Sequence, residues 1–117
     1  MAGFSYPKSF RLKTRFDYAR CRNAKYQRHI SRCLVFFRKN SFGHARFGCS
    51  ISKKMGESFE RNLFRRRLKE AFRTNPTIKS LPFDIHIVPQ VAVRHLSWDD
   101  VKILMDQLFL ELTQLHM

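Results

Sequence analysis

The chain has 117 residues, which is enough for one domain with a modest hydrophobic core and too few for two ordinary domains. With 23 Lys and Arg against 9 Asp and Glu, its formal charge is +14, so we expect a polyanionic partner, of which nucleic acid is the commonest. The apolar fraction of 44% excludes a disordered basic tail, and no apolar run approaches the roughly 20 residues of a membrane span.

The first half of the chain predicts a helix followed by strands. A short helix is expected within KTRFDYARCRNAK, with Thr14 as its cap. Residues 29–39, HISRCLVFFRK, and residues 45–52, ARFGCSIS, are rich in side chains that favour strands, and a glycine-containing loop separates them. We expect these segments to form adjacent antiparallel strands, with the first one broken near Ser31.

Alternation along residues 45–52 gives the second of these strands two different faces. Phe47, Cys49 and Ile51 fall on one face, which is expected to build the core. The other face carries small and polar side chains, namely Arg46, Gly48, Ser50 and Ser52. This second face would leave room for another chain to lie against the sheet.

The second half of the chain predicts helix, strand and helix. Gly56 breaks the chain before a helix over residues 58–73, and FDIHIVP, residues 83–89, reads as a strand that Pro89 ends. The last segment is a helix with Ser97 and Asp100 as a capping box. Its apolar positions keep i, i+3, i+4 spacing: Val101, Leu104, Met105, Leu108, Leu112 and Leu115. The order α-β-β-β-α-β-α predicts a single α+β domain, residues 1–117, with one small sheet.

The helix over residues 58–73 carries its positive charge on one side. At about 100° per residue, Phe64, Leu68, Ala71 and Phe72 fall together and predict a core-facing side. A separate arc holds only polar or basic side chains: Asn62, Arg65, Arg66, Lys69 and Arg73. No acidic residue inside the arc relieves the repulsion, since Glu60 and Glu70 lie outside it.

Such an arc favours phosphate binding over a merely solvated face. Guanidinium groups match phosphate oxygens in shape, and the Asn62 amide can reach a sugar or a base edge. Lys53 and Lys54, just before the helix, extend the same patch. A DNA-binding helix-turn-helix would need a second short helix before the basic one, and a strand-like segment occupies that place. We therefore expect RNA rather than DNA.

Cysteines and histidines give no sign of a metal site. Cys21, Cys33 and Cys49 are odd in number and far apart, which predicts neither a disulfide framework nor a zinc site but buried or half-buried thiols. The histidines form no H-x-x-x-H pair, so we expect no metal or cofactor bound by the protein. Nothing at the start of the sequence marks it for export, so a cytoplasmic protein is expected.

Two neighbouring segments resemble the hallmark of the protein subunit of bacterial ribonuclease P. That family has a pattern similar to R-N-x-x-K-R-x-x-R-E soon after a strand ending S-x-S-K-K, and this chain reads SISKKMG followed by RNLFRRRLKE. Arg61, Asn62, Arg66 and Glu70 match in type and spacing, while Arg65 stands for Lys and Lys69 for Arg. The likeness extends to FRLKTRFDY, the Phe-rich strand and the capped last helix. The chain departs from the pattern at Leu63 and Gln90, where the family is usually basic, and at Arg20, where it is commonly aromatic.

The resemblance implies a mixed four-stranded sheet with the left-handed crossover of the ribosomal protein S5 domain 2-like fold. It also implies a role in the 5′ maturation of tRNA, in which the RNA subunit and its Mg²⁺ perform the cleavage and the protein chain is not catalytic. The catalytic RNA would be bound by the residues of the basic helix and its approach: Lys53, Lys54, Arg61, Asn62, Arg65, Arg66, Lys69 and Arg73. The single-stranded 5′ leader of precursor tRNA would lie in a cleft between the first helix and the sheet.

The leader cleft would be lined by Arg11, Phe16, Phe37, Arg46, Ser50 and Ser52. Phe16 and Phe37 could offer stacking surfaces for bases, whereas Phe36 and Phe47 are expected in the core. Two other readings compete. A self-sufficient metal-dependent nuclease would need clustered carboxylates, and the acidic residues are dispersed along the sequence. A ribosomal or other structural RNA-binding module would share the composition but has no need of an aromatic cleft.

Overall fold

The computed structural model describes residues 11–12, 15–23 and 26–116. Within them, helices and strands follow in the order α1 (Arg15–Arg22), β1 (Tyr26–Ile30), β2 (Cys33–Lys39), β3 (Arg46–Cys49), α2 (Ser58–Arg73), α3 (Pro76–Lys79), β4 (Phe83–Pro89) and α4 (Trp98–His116). The predicted α+β order is confirmed, and α3 adds one helical turn to a segment with no predicted structure. Thr14, the predicted cap of α1, lies outside the described residues.

The four strands form one mixed sheet in the order β1-β2-β4-β3. β2 pairs antiparallel with both β1 and β4, whereas β3 pairs parallel with β4. The predicted antiparallel pairing of the segments over residues 29–39 and 45–52 is therefore wrong, because β4 lies between them. The reason is burial: all residues of β4 except Val88 are buried, so this strand occupies a position in the sheet that is covered on both faces.

The β1–β2 hairpin turns at Ser31 and Arg32, which confirms the break predicted near Ser31. Both residues have positive φ, 51° and 62°, a conformation that non-glycine residues seldom adopt. Contacts with α4 and with the 3₁₀ turn before it, Val93–His95, hold the hairpin turn: the Ser31 hydroxyl donates to the Asp100 carbonyl at 3.2 Å, and Arg32 Nη2 donates to the His95 carbonyl at 3.0 Å. The hairpin and the last helix thus fix each other's positions.

The main core lies between the sheet and the pair α2 and α4. From α2, the buried side chains are those of Phe64, Leu68 and Phe72, as the helical spacing predicted. Phe72 stacks on Phe47 of β3 with ring centroids 5.1 Å apart, which ties the helix to the sheet. The predicted apolar stripe of α4 is also confirmed, with these positions buried: Val101, Leu104, Met105, Leu108 and Leu112.

The capping box of α4 forms as predicted. The Ser97 backbone N–H donates to Asp100 Oδ2 at 2.8 Å, and the Asp100 N–H donates to Ser97 Oγ at 3.2 Å. The hydrogen bond from the Ser97 backbone N–H is the main reason that the pKa of Asp100 lies below its usual value.

Across the described residues, no helix is both long and apolar enough to cross a bilayer.

The opposite face of the sheet is covered by α1. Tyr18 of α1 lies directly over Gly48 of β3, and its ring meets the edge of the His86 ring of β4 at a centroid distance of 4.7 Å.

The three thiols behave as predicted: Cys21 and Cys33 are buried, Cys49 is half-buried, and burial raises the pKa of each to about 12. They therefore remain protonated at neutral pH.

Candidate nucleic-acid interface

The basic arc of α2 has an exposed centre and an engaged C-terminal end. Asn62, Arg66 and Lys69 are exposed in the centre, and Arg65 donates to Asn62 Oδ1 at 3.4 Å. At the C-terminal end, Arg73 forms an ion pair with Glu70. The wheel places Glu70 outside the arc, yet its side chain reaches Arg73, so the arc is less purely basic than the sequence predicted.

Arg61, which lies outside the arc, folds back over the start of α2. Its Nε donates to the Gly56 carbonyl at 3.2 Å, and its Nη2 donates to Ser58 Oγ at 3.1 Å. The first turn is closed by the Glu57 N–H, which donates to Glu60 Oε1 at 2.8 Å. Arg61 therefore stabilises the helix start, and the guanidinium edge that makes these bonds is already used.

The predicted lysines before α2 line a cavity at its start. Lys53 and Lys54 lie in a 3₁₀ turn, Lys53–Met55, and share a cavity of about 450 Å³ with Arg61 and Arg94. Glu57 and Glu60 also line this cavity, but the four cationic side chains outnumber them and leave a net positive charge that attracts phosphate. Arg94 was missed by the sequence reasoning because it is a single arginine after β4 with no pattern around it. Arg94 and α2 are far apart in the sequence, and the fold places them side by side.

A second cavity of about 200 Å³ lies between α1, β3 and α2. Arg11 enters it from the segment that forms a parallel bridge with Phe47, Tyr18 enters from α1, and Arg65 and Lys69 enter from α2. We call this cavity, with these four side chains, the cleft. It brings together residues that the sequence assigned to different surfaces, because Arg65 and Lys69 were predicted to bind the catalytic RNA and Arg11 the leader.

Tyr18 is the cleft residue that the sequence reasoning missed. Its hydroxyl occupies the space above Gly48 so closely that a Cβ on Gly48 would lie 2.4 Å from Tyr18 Oη. The predicted open surface above Gly48 is therefore filled by this ring, which is a correction to the expected room on this face. Burial raises the pKa of Tyr18, so its hydroxyl stays protonated and can donate a hydrogen bond.

Ser50 and Ser52, predicted to line the leader cleft, follow β3 and are both exposed, but neither is among the residues that line the cavity named the cleft. Ser50 Oγ lies 2.8 Å from Nε2 of the buried His86, so the histidine fixes the serine hydroxyl at the surface. Burial, with a smaller contribution from the charge of Arg22, lowers the pKa of His86 to about 4. His86 is thus neutral at physiological pH and adds no charge to this face.

The aromatic assignments need correction. Phe37 is fully buried and packs between Tyr26 and Phe83, with ring centroids 5.8 Å and 6.3 Å away, so it cannot meet a leader in the cleft. Its neighbour Phe36, predicted in the core, is half-buried on the α1 face, with its ring 5.8 Å from that of His86. Phe47 is buried as expected. Phe16 lies in α1, and its side chain is outside the described part of the structure.

Arg46, a predicted leader contact, is engaged in ion pairs within the protein. Its guanidinium donates to Asp84 Oδ1 and Oδ2 at 2.8 Å and 2.9 Å and to Asp17 Oδ1 at 3.1 Å. The hydrogen bonds with Asp84 are the main cause of the raised pKa of Arg46. Two carboxylates from α1 and β4 thus engage this cation, which joins the helix to the sheet.

The described residues hold no group of three or more His, Cys, Asp or Glu side chains that could bind a metal ion. What the described geometry offers is exposed cations on α2, a cationic cavity at the start of that helix, and the cleft, where three cations surround a tyrosine. This combination can neutralise phosphates and hold a nucleotide chain in extended form.

Comparison with known proteins identifies relatives that are similar in sequence and in fold. A family model described as "Ribonuclease P" matches residues 6–113. The chain is 35% identical to the "Ribonuclease P protein component" of Clostridioides difficile over 58% of this chain and 60% of that protein. It is 32% identical to that of Citrifermentans bemidjiense over 86% of both. Among solved structures, the ribonuclease P protein from Thermotoga maritima superposes with a TM-score of 0.73 at 26% identity, covering 85% of this chain and 94% of that one.

Proposed function

The chain belongs to the bacterial ribonuclease P protein family, and from this membership we propose that it binds the catalytic RNA of ribonuclease P and the 5′ leader of precursor tRNA. In this role it assists the endonucleolytic removal of the leader in the cytoplasm. The observation that carries the proposal is the placement of an exposed cationic helix face beside the cleft.

Binding of the catalytic RNA is assigned to α2 and the turn before it. Arg66 and Lys69 are exposed at the centre of the arc, and Lys53 and Lys54 face the cavity at the helix start. Each cation that meets a phosphate releases counterions, which favours association and makes it weaker as salt is added. Asn62 supplies a neutral donor and acceptor within the same face, suited to a sugar or base edge.

The leader is assigned to the cleft. Arg11, Arg65 and Lys69 supply charge for the phosphates of a single strand, and the Tyr18 ring supplies an aromatic surface. The hydroxyl of Ser50, held by His86, adds a hydrogen-bonding group on the exposed side of the same face. Recognition by backbone charge and stacking is tolerant of sequence, as a protein that accepts many tRNA precursors requires.

Catalysis is assigned to the RNA with its Mg²⁺, because acidic side chains of the protein are engaged elsewhere. Asp17 and Asp84 bind Arg46, Asp100 caps α4, and Glu60 caps α2. A two-metal nuclease needs carboxylates that converge on ions about 4 Å apart. The contribution of the protein is therefore charge neutralisation and positioning of the substrate.

The test is 5′-leader cleavage of a precursor tRNA at low Mg²⁺, comparing the protein alone, the ribonuclease P RNA of the same bacterium alone, and the mixture. We expect the mixture to be far more active than the RNA alone and the protein alone to be inactive. Activity of the protein alone would refute catalysis by the RNA. A folded protein that gives the mixture no advantage would favour a structural RNA-binding module instead.

A matched pair of variants tests the assigned surface. Lys69→Ala removes an exposed cation from α2, and Lys102→Ala removes an exposed cation from α4, far along the chain from the arc. We expect Lys69→Ala to weaken binding of the ribonuclease P RNA. It should also reduce the steepness of log K against log salt by roughly 0.7–0.9 for one lost phosphate contact. The second should leave the slope unchanged. Equal slopes for wild type and Lys69→Ala would remove this lysine from the interface.

A further inference from the structure

An exposed apolar pair lies on α2 beside the basic arc. Phe59 is 71% exposed and Leu63 is 39% exposed, although both belong to a helix whose other apolar side chains build the core. At i and i+4 they lie one above the other on the helix surface. Arg66, at i+7 from Phe59, continues the same line. We call Phe59 and Leu63 the Phe59 patch.

A groove of about 230 Å³ runs beside this patch. Val93 and Leu96 give it an apolar wall, and Arg94 and Arg67 add cations. Arg67 is held in place by a hydrogen bond from Nη1 to the Leu96 carbonyl at 3.5 Å. The acid in this groove, Glu60, has its Oε1 bound by the Glu57 backbone N–H. An aromatic ring therefore stands between a groove with two arginines and the exposed Arg66.

Single exposed apolar side chains are normal on protein surfaces and need no function. Phe59, however, is the most exposed large apolar side chain of the described residues, and it adjoins a second one within a cationic surface. Two side chains are also too few for a protein interface, which buries about 800 Å² on each partner. The size fits one flat ligand with a negative charge on either side.

We propose that Phe59 is a stacking platform for one unpaired base of the RNA that α2 binds. The inference rests on the proposed RNA-binding function and adds a residue and a mode of contact to it. The exposed ring provides the π face, while Arg66 and Arg94, on the two sides of the patch, meet phosphates adjoining the stacked nucleotide. Leu63 widens the apolar surface under the base. The contact selects an unpaired nucleotide, because a paired base has no free face.

The experiment measures binding of the full chain to the ribonuclease P RNA of the same bacterium over a series of salt concentrations. The variants are Phe59→Ala, Phe59→Leu and Phe59→Tyr, with Leu110→Ala as the control, since Leu110 is 60% exposed on α4. We expect Phe59→Ala to weaken binding about 5- to 140-fold with the salt slope unchanged, because stacking releases no counterions. Phe59→Tyr should retain most of the affinity, and Leu110→Ala all of it.

Phe59→Leu separates stacking from simple apolar contact. A leucine keeps apolar area but has no π face, so we expect it to lose nearly as much affinity as alanine does. Equal affinity of wild type and Phe59→Leu would overturn stacking, and so would an unchanged affinity of Phe59→Ala. Failure of the wild-type chain to bind the RNA at all would instead overturn the proposed function, and the inference with it. Thermal melts of all variants should match wild type, because Phe59 contributes little to the core.

Discussion

A buried histidine under the cleft should make the free energy of unfolding depend on pH, at pH values above those at which carboxylates usually titrate. His86 is 1% exposed in the central strand β4. Tyr18 covers it from α1, Phe36 adjoins it from β2, Ser50 lies at Nε2, and Arg22 is the nearby charge. Among the described residues, Nδ1 has no hydrogen-bond partner, so protonation would bury a second N–H without an acceptor.

The sign and size follow from the two pKa values. Burial lowers the pKa of His86 from 6.5 to about 4, so between these values the unfolded chain binds a proton that the folded chain does not. Stability is therefore full above pH 6.5 and falls as the pH decreases. With about 1.4 kcal/mol per pH unit for one proton, the loss from pH 7 is about 2 kcal/mol at pH 5 and about 3 kcal/mol at pH 4.

The assay is urea unfolding between pH 4 and pH 7, with wild type compared with His86→Gln. Glutamine does not titrate and can still offer a hydrogen bond to Ser50, so the difference in free energy of unfolding between the two proteins isolates the histidine. His29→Gln is the control, because His29 is exposed on the edge strand β1. We expect His86→Gln to lose about 2 kcal/mol less than wild type between pH 7 and pH 5. Parallel curves for the two proteins would refute the reasoning.

Two further substitutions test the packing that positions the interface. Leu68→Ala should lower the free energy of unfolding by roughly 2–5 kcal/mol, since Leu68 is fully buried on the core-facing side of α2; an unchanged thermal melt would contradict the assigned core face. Arg46→Ala should cost about 3–5 kcal/mol, because it removes the cation that the buried Asp84 and Asp17 carboxylates share. Arg28→Ala, which breaks an exposed pair with Glu111, should cost less than about 1 kcal/mol in the same urea titration.

Features that depend on nearby residues could be predicted from the sequence. The bounds of α2 agree with the predicted residues 58–73 because its core face repeats every three or four residues. The cap of α4 could be recognised for the same reason, since Ser97 and Asp100 are three residues apart. The turn at Ser31 was also visible, as a polar break within a run of strand-forming residues.

Features that depend on residues distant in the sequence could not be predicted. β3 pairs with β4, whose residues lie 38 positions further along the chain, and no local sequence pattern indicates this pairing. The ion pairs of Arg46 are made with carboxylates 29 and 38 residues away, so the sequence suggested an unpaired cation where the structure has an ion-paired one. Phe36 and Phe37 differ by a single residue, and in a strand that difference decides which face of the sheet each one meets.

The same distinction bears on the number of cations that RNA can use. Arg46 is held by two carboxylates, Arg73 pairs with Glu70, and Arg61 folds back onto the helix start. A cation that already has a partner gains less from a phosphate, because it must first lose or share that partner. Within the part of the chain that the structure describes, the exposed Arg66 and Lys69 form no ion pair, so neither has a carboxylate partner to lose. The salt dependence of RNA binding should therefore be shallower than the predicted set of basic residues implies, with its steepest contributions from the centre of α2.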